Sequence, residues 1–343
     1  MGGGRPISVP LVEPSESSNE ELILSFLAEG GDEFVSGAAL SDKLGLSRTA
    51  VWKHVEQLRR LGYQIEAQPA RGYRLVAVPD RLTALELLPL LGTRELGRTI
   101  HHFESTDSTN RVAFELAQDG AFHGEVVIAE GQTAGKGRRG RSWASPVGKS
   151  LYCSIILRPD IPPARAPELT LVAAVAVAQT IQEAGGEAGI KWPNDVTIGG
   201  RKVAGILTEL SADVERVQFV IVGVGVNLNA AREDFPPEVA EVATSLEQER
   251  GTPVPRALFT AALFTRLEQW LDTWTEEGFG PVRLAWKKLS TILGQEVLVR
   301  SEQKELRGVA EDLDETGALI LRVGGSTERV LAGDVEQVRA RKA

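Results

Sequence analysis

The chain has 343 residues, and its 47 Asp and Glu residues outnumber 38 Lys and Arg residues to give a formal net charge of −9. At about 150 residues per domain, this length predicts two or three domains, each able to bury a core of its own. The acidity argues against a protein that coats nucleic acid without regard to sequence, although it leaves room for a local basic patch.

A single cysteine, Cys153, limits both the chemistry and the compartment. One thiol excludes an internal disulfide framework and a zinc site of several cysteines, and it fits a reducing, cytoplasmic compartment. We interpret Cys153 as a small buried residue and not as a nucleophile. The four histidines lack a metal-binding spacing, and we expect no membrane association, because no run of about 20 apolar residues occurs. The opening MGGGRPISVP lacks the apolar core of a signal peptide.

The N-terminal part predicts a winged helix-turn-helix domain over residues 19–80. Residues 1–18 are rich in Gly, Pro, Ser and Glu, which predicts a disordered arm. Capping serines predict two short helices, Gly37–Leu44 and Arg48–Leu61. The segment that follows predicts two strands around Pro69–Gly72, which form the wing.

The second of these helices has the exposed cations of a DNA-recognition helix. Val51, Val55 and Leu58 recur at helical spacing and face inward, so the opposite face meets solvent. A winged helix can also serve only for protein contacts, and the sequence leaves that alternative open. The residues predicted to contact DNA are Ser47, Arg48, Thr49, Trp52 and Lys53 on the helix and Arg71 on the wing.

The rest of the chain predicts an α+β domain over residues 81–288 and a small β-barrel over residues 289–343. In the first, helices and strands are interleaved as in a mostly antiparallel or mixed sheet. In the second, short strands are separated by turn residues. The predicted strands of the α+β domain are Glu125–Ala129, Ser150–Leu157, Gly189–Lys191, Val196–Ile198, Lys202–Glu209 and Gln218–Val224, and its predicted helices are Asn110–Gln118, Ala166–Ala184 and Pro255–Thr275.

The segment Gly131–Arg141, GQTAGKGRRGR, is the strongest candidate for a binding site. Its glycines let the backbone approach an anion closely, and its four cations supply charge for phosphate or carboxylate oxygens. It is not a P-loop, because Gly137 is followed by Arg138 where that motif has a lysine. A solvated basic loop is the plain alternative, but the interleaved glycines favour a ligand loop.

Three shorter segments add candidate residues. The segment KWPND at residues 191–195 presents a lysine beside rigid neighbours, where it can stabilise charge on a phosphoryl group. The segment DSTN at residues 107–110 either caps a helix or turns its hydroxyls toward a pocket. The segment GVGVN at residues 223–227 either forms a β-bulge or lets a flat ligand lie against the backbone.

Together and in this order, these segments resemble the biotin–protein ligases. GQTAGKGRRGRSW is similar to the family's biotinyl-adenylate loop, KWPNDV with the downstream RKVAGIL to its catalytic-lysine segment, and DSTN and GVGVNLN to two further motifs. SRTAVWKHVEQLRRLGYQIEAQPARGYRL resembles the winged helix of the bifunctional members, which also repress the biotin operon. The tail resembles their SH3-like C-terminal domain, so the match covers nearly the whole chain after residue 18.

The resemblance implies a role for each matching residue. It implies that Lys191 and Arg138 are catalytic and neutralise charge at the α-phosphate of ATP. Lys136 departs from the family's usual arginine and keeps the charge without the planar fork. The residues implied to bind biotin are Ser108, Thr109, Asn110, Gln132, Gly135, Lys136, Gly137, Arg138, Lys191 and Gly223. Those implied to bind ATP or the adenylate are Arg138, Arg139, Arg141, Trp143, Asn194, Gly225 and Asn227.

The function implied by the resemblance is an ATP-dependent biotin–protein ligase. Biotin and ATP, with Mg²⁺, would form biotinyl-5′-AMP, and biotin would pass to a lysine of a biotin carboxyl carrier protein. The resemblance also implies a homodimer that is promoted by biotinyl-AMP and binds operator DNA. The alternatives are a lipoate ligase or octanoyltransferase, and a transcription factor whose ligase domain only senses its ligand; the loop, Lys191 and Arg138 argue against them. The sequence does not identify metal ligands.

Overall fold

The computed structural model describes residues 19–301 and 304–337, and the chain divides into two compact units, Met1–Pro79 and Asp80–Ala343. The predicted disordered arm, residues 1–18, lies outside the described residues. The boundary expected between residues 288 and 289 stays a prediction, because both sides of it lie in the second unit.

The first unit has three helices followed by a hairpin, and it includes the two capped helices and the wing that the sequence predicts. Ser36 and Ser47 cap the second and third helices, and their Oγ atoms accept hydrogen bonds from the backbone N–H groups of Ala39 and Ala50 at 3.1 and 3.2 Å. The elements are α1 (Asn19–Glu29), α2 (Gly37–Leu44), α3 (Arg48–Arg60), β1 (Gln64–Gln68) and β2 (Gly72–Ala77).

The wing is fixed to the loop between α1 and α2. Val35 and Tyr73 exchange backbone hydrogen bonds of 2.8 and 2.9 Å. Gly72 makes this approach possible, because a Cβ atom there would lie 2.0 Å from the carbonyl oxygen of Val35. The guanidinium of Arg71 lies over the ring of Phe34, 4.4 Å from its centroid. The wing cation therefore packs against the loop between α1 and α2 while staying exposed.

The second unit is built on a seven-stranded mixed sheet of order β3-β4-β5-β9-β8-β7-β6. The pair β3 and β4 is parallel, and every other neighbouring pair is antiparallel, which confirms the predicted mixed sheet. The strands are β3 (Ile100–Phe103), β4 (Val126–Ala129), β5 (Leu151–Leu157), β6 (Ala188–Lys191), β7 (Asp195–Ile198), β8 (Arg201–Ala212) and β9 (Val217–Val226).

Helices cover both faces of this sheet, because apolar residues follow one another along its strands and point alternately to opposite sides. Val127 and Ile156 pack with Ala113 of α5. Their neighbours Val126 and Ile155 belong to the larger core that includes α6 and α8. The helices of this unit are α4 (Ala84–Leu87), α5 (Thr109–Gln118), α6 (Ala166–Glu183), α7 (Leu246–Arg250), α8 (Arg256–Glu277) and α9 (Phe279–Leu289).

The C-terminal part is a five-stranded antiparallel sheet of order β13-β12-β11-β10-β14, in agreement with the predicted all-β tail. Its buried residues Val297 and Leu321 are continuous with the core of the mixed sheet. The indole Nε1 of Trp192 also donates a hydrogen bond to the carbonyl of Gly317 at 3.1 Å. The strands are β10 (Glu296–Arg300), β11 (Glu305–Leu313), β12 (Leu319–Val323), β13 (Ser326–Val330) and β14 (Asp334–Gln337).

Candidate active site

A pocket lies on the face of the sheet that α5 covers, where β5, β8 and β9 meet the first turn of α5 and the loop 131–149, which contains Gly131–Arg141 and is named the ligand loop. The predicted site residues that line it are Ser108, Thr109, Asn110, Gln132, Lys136, Gly137, Arg138, Trp143, Asn194, Gly223 and Gly225. The predicted site residues absent from its lining are Gly135, Arg139, Arg141, Lys191 and Asn227.

The end of the pocket at α5 is a network of buried hydroxyl and amide groups. Gln132 Oε1 accepts a hydrogen bond of 2.9 Å from the backbone N–H of Thr109. Ser154 Oγ lies 2.8 Å from Thr109 Oγ1 and 2.6 Å from Asn110 Oδ1. Ser108 occupies the N-cap position of α5 without a side-chain capping bond. Plain capping therefore does not account for Ser108, which lines the pocket. The sequence prediction missed the supporting residue Ser154, whose hydroxyl is hidden inside an apolar strand.

Gly223 is a glycine because Asn110 occupies the space beside it. A Cβ atom at this position would lie 2.0 Å from Asn110 Oδ1. The Asn110 amide is held there on its other side, where Nδ2 donates to Glu209 Oε2 at 2.7 Å and to the carbonyl of Leu207 at 3.2 Å. The pocket floor at Gly223 is therefore fixed by a side chain on α5 and not only by the strand.

The indole of Trp143 lies flat on two glycines that are paired across β8 and β9. A Cβ atom at Gly225 would lie 2.7 Å from Trp143 Nε1, and one at Gly205 would lie 2.9 Å from Trp143 Cζ3. The sequence suggests that Gly225 leaves room for a flat ligand, and in this structure the flat group is Trp143 itself. Its buried Nε1–H has no hydrogen-bond partner among the residues that the structure describes, so an unsatisfied donor lies in the pocket wall.

A lysine that the sequence prediction did not select, Lys202, lies at the cation-rich end of the pocket. Its Nζ is 5.0 Å from the centroid of the Trp143 ring and 2.7 Å from Asp195 Oδ1. Lys191 pairs with Asp195 in the backbone register of β6 and β7, but it does not line the pocket. The segment KWPND thus contributes Asn194 to the lining and Asp195 as the partner of Lys202.

The cations of the ligand loop are divided between the pocket and the C-terminal sheet. Arg138 Nη1 donates to Asn194 Oδ1 at 2.9 Å, and burial lowers the pKa of Arg138 while the charge of Asp334 opposes that shift. Arg139 and Arg141 form ion pairs with Asp334. Lys136 is exposed at the rim of the pocket.

The remaining residues singled out from the sequence make contacts within the fold. Asn227 is 4% exposed and donates from Nδ2 to the carbonyl of Thr244 at 2.9 Å. Gly135 packs inside the loop, where a Cβ atom would lie 2.6 Å from the carbonyl oxygen of Trp143. Cys153 is buried in the pocket wall, and burial raises the pKa of its thiol, which supports its interpretation as an inert residue.

Residues 19–301 and 304–337 contain no cluster of three or more His, Cys, Asp or Glu side chains able to hold a metal ion. No helix within these residues has the length and apolar character that a membrane span requires.

The predicted DNA-contacting residues of the first unit are all exposed, five of them at the start of α3 and one on the wing. Ser47 caps that helix, and Trp52 is 51% exposed, which is unusual for a tryptophan that serves only a core. The other exposed members are Arg48, Thr49 and Lys53 on α3 and Arg71 on the wing.

Comparison with family models defines the class of protein to which this architecture belongs. The model of the biotin/lipoate A/B protein ligase family matches residues 102–227. A helix-turn-helix domain model matches residues 19–74, and a model of the biotin protein ligase C-terminal domain matches residues 292–337. The three matches follow the three parts of the fold.

Similar proteins narrow the class to one family. The chain is 40% identical over 315 residues to the bifunctional ligase/repressor BirA of Bacillus subtilis, covering 92% of this chain and 97% of that protein. It is 32% identical over 321 residues to the bifunctional ligase/repressor BirA of Escherichia coli, with 93% and 97% covered. The biotin protein ligase from Aquifex aeolicus in complex with biotin and ATP superposes with a TM-score of 0.61 at 28% identity, over 71% of this chain and 99% of that one. The chain belongs to the family of bifunctional biotin protein ligases and repressors.

Proposed function

We propose that this protein activates biotin with ATP and transfers it to a lysine of a biotin carboxyl carrier protein. The observation that carries the proposal is a single pocket with two chemically different ends, a neutral network at α5 and a pair of cations, Lys202 and Arg138. Relatives with this fold are named biotin–[acetyl-CoA-carboxylase] ligases, which supports a carrier of that kind as the acceptor.

The neutral end suits the ureido ring of biotin. A ureido group has a carbonyl acceptor and two N–H donors, and the hydroxyl and amide groups of Ser108, Thr109 and Gln132 offer both kinds of partner without a charge. Gln132 comes from the ligand loop, while Ser108 and Thr109 lie at the start of α5. Biotin bound here would therefore join the loop to the sheet domain.

The cationic end suits the phosphate at which the chemistry takes place. A carboxylate oxygen of biotin attacks the α-phosphorus of ATP, a new C–O–P linkage forms, and pyrophosphate leaves with the electrons of the broken P–O bond. Negative charge collects on the phosphate oxygens, and Lys202 and Arg138 are placed to neutralise it. We assign to Lys202 the phosphate-facing role that the resemblance implied for Lys191, because Lys202 lines the pocket.

The second half-reaction needs no nucleophile from the protein. The amine of the carrier lysine attacks the acyl carbon of biotinyl-AMP, AMP leaves, and the amine loses a proton as the amide forms. The loop 131–149 lines the pocket with Gln132, Arg138 and Trp143, and a loop held closed on the bound adenylate would limit water around the mixed anhydride.

The proposal for Mg²⁺ is that it enters with ATP. Mg²⁺ bound to nucleotides takes much of its coordination from phosphate oxygens and water. The part of the chain that the structure describes offers no cluster of three or more metal-ligating side chains, so we assign no step to the ion. A cytoplasmic location and a homodimer promoted by biotinyl-AMP stay predictions.

Two lysine variants test the assignment within the pocket. Lys202→Met removes the charge beside Trp143 and is expected to reduce biotin-dependent pyrophosphate release from ATP by at least about 100-fold, because one preorganised charge is lost from the transition state. Lys191→Met is the matched control and is expected to stay within about threefold of the wild type. A Lys202→Met protein with near wild-type pyrophosphate release would contradict the role of Lys202. A large loss in Lys191→Met alone would return that role to Lys191.

We also propose that the first unit binds operator DNA. The exposed Trp52 and Lys53 on α3 and the exposed Arg71 on the wing favour this function over a module for protein contacts. Biotinyl-AMP would serve as corepressor if it promotes the predicted dimer, because two copies are needed to match two half-sites.

A further inference from the structure

An ion pair between Arg256 and Glu130 is buried beside the ligand loop, outside the pocket itself. Arg256 is the first residue of α8 and is 1% exposed, and Glu130 is 3% exposed. Arg256 Nη1 donates to Glu130 Oε2 at 2.8 Å. Burying two charges costs free energy that is offset only by their mutual attraction and by hydrogen bonds to their remaining polar atoms, so the groups that surround this pair are informative.

The guanidinium of Arg256 joins the two stems of the loop 131–149. Glu130 directly precedes the loop and Ser150 directly follows it, and the same Nη1 that binds Glu130 also donates to the carbonyl of Ser150 at 3.3 Å. The other edge of the guanidinium holds Asp80, with Nε donating to Oδ2 at 3.0 Å and Nη2 donating to the carbonyl oxygen. One planar group thus anchors both ends of the loop.

Glu130 is held as a carboxylate by several donors. Burial raises the pKa of Glu130, but the hydrogen bond to His102, the charge of Arg256 and the backbone N–H of Leu82 outweigh it and lower the pKa to about 2. The N–H of Leu82 donates to Glu130 Oε1 at 3.0 Å, and His102 Nε2 lies 3.3 Å from the same oxygen. The partner of Arg256 is therefore charged at neutral pH.

Short connections lead from these stems to the pocket. Gln132, two residues after Glu130, bonds to the opposite arm of the loop through Ser145: its N–H donates to the carbonyl at 3.3 Å and its Nε2 to Oγ at 2.9 Å. Tyr152, two residues after Ser150, donates from its hydroxyl to the carbonyl of Pro146 at 3.1 Å. Both Gln132 and Tyr152 line the pocket. A shift of either stem therefore moves pocket atoms.

We propose that Arg256 is a positioning residue for biotin: it holds both stems of the ligand loop and so sets the place of Gln132 without touching the ligand. The proposal rests on the proposed function, because it takes biotin as the ligand at Gln132. A lysine at this position would keep the charge but lose the fork that spans Glu130, Ser150 and Asp80.

The test compares Arg256→Lys with Arg266→Lys, the same substitution on the same helix at a partly exposed ion pair with Glu183. In Arg256→Lys we expect the calorimetric Kd for biotin and the KM for biotin to rise at least about tenfold, with kcat for adenylate formation within about twofold. Arg266→Lys is expected to match the wild type in all three. An Arg256→Lys protein that melts at a lower temperature but keeps the wild-type biotin Kd would overturn the proposal.

A second variant covers the case in which Arg256→Lys does not fold. Asp80→Asn leaves Arg256 in place and changes a side chain that is 51% exposed, so the fold is expected to survive. It weakens one anchor of the guanidinium, and we expect the biotin Kd to rise about threefold with kcat unchanged. If Arg256→Lys does not fold and the folded Asp80→Asn protein keeps the wild-type Kd for biotin, the proposal is contradicted. Failure of the proposed function is distinguishable, because the wild-type protein would then bind no biotin in the same calorimeter.

Discussion

Three glycines beneath the pocket show that its shape is set by side chains packed against bare backbone. Gly223 accommodates the amide of Asn110, and Gly205 and Gly225 accommodate the indole of Trp143. The Trp143 ring in turn contacts Lys202, whose Nζ lies 5.0 Å from the ring centroid. A methyl group at any of the three glycines would displace a residue of the site before it met a ligand.

Gly223→Ala tests this dependence at one residue. The added Cβ would fall 2.0 Å from Asn110 Oδ1, so the amide must leave its bonds to Glu209 and Ser154. We expect the affinity for biotin, measured by calorimetry, to fall at least about tenfold. The control is Gly280→Ala, which adds a methyl group in open space within α9 and should leave binding unchanged. Wild-type biotin affinity in Gly223→Ala would show that Asn110 does not shape the site.

Most residues that line the pocket were selected from the sequence by their residue types, but only the structure shows which lysine reaches the pocket. Lys191 ends the short strand β6 and Lys202 lies near the start of the long strand β8, and both strands pair with β7 in one antiparallel run. Successive strand residues point to opposite faces, and a register shift between Val196 and Thr197 changes the count along β7. Spacing along the sequence therefore does not reveal which of the two lysines faces Trp143.

At the scale of elements, the ligand loop is held at both its base and its tip. Its base is joined by Arg256, and its tip contacts the C-terminal sheet through Arg139 and Arg141, which pair with Asp334 on β14. The sequence predicted neither contact. The four-residue strands β3 and β14 were missing from the prediction, because they are too short to show an apolar period. Helix α9 was also missing, although its buried residues Phe279, Val282 and Trp286 recur at helical spacing. The longer elements β5, α6 and α8 were predicted within a few residues, since their apolar patterns are strong.

Asp334→Asn tests the contact at the tip of the loop. Loss of the carboxylate charge weakens the pairs with Arg139 and Arg141, so we expect proteases to cut Gly131–Arg141 severalfold faster in the ligand-free protein. Biotin plus ATP should slow cleavage in both the variant and the wild type, because ligand groups then hold the loop cations. Asp272→Asn, at an exposed ion pair with Arg94, is the matched control. Equal cleavage with and without ligands in both proteins would contradict an ordering role for the ligands.

At the scale of the whole molecule, an acidic chain carries two separate basic features. One is the ligand loop of the second unit, and the other is the exposed surface of α3 and the wing in the first. The net charge of −9 gives no indication of either feature, because both are local. The order of motifs along the chain predicted the three-part architecture, because each part carries its own sequence pattern.

Trp52→Ala and Lys53→Ala test the DNA-binding function of the first unit. Both side chains are exposed on α3, so their loss is expected to weaken binding to DNA from upstream of the protein's own biotin genes by about 10-fold or more, with adenylate formation unchanged. Lys53→Ala should also lower, by about one, the slope of the logarithm of the binding constant against the logarithm of the salt concentration, because one fewer counterion is released from the DNA. Gel shifts over a salt series measure both. The exposed Lys288→Ala in the second unit is the control. Unaltered DNA binding in both variants would favour a module for protein contacts.

The modification of a carrier lysine tests the central claim most directly. The full chain is mixed with biotin, ATP, Mg²⁺ and an apo biotin carrier domain, and the carrier is analysed by mass spectrometry after proteolysis. The account predicts one biotin on one lysine of the carrier, dependent on ATP and lost when lipoate replaces biotin. Transfer of lipoate in place of biotin, or formation of biotinyl-AMP with no modified lysine at any carrier concentration, would contradict it.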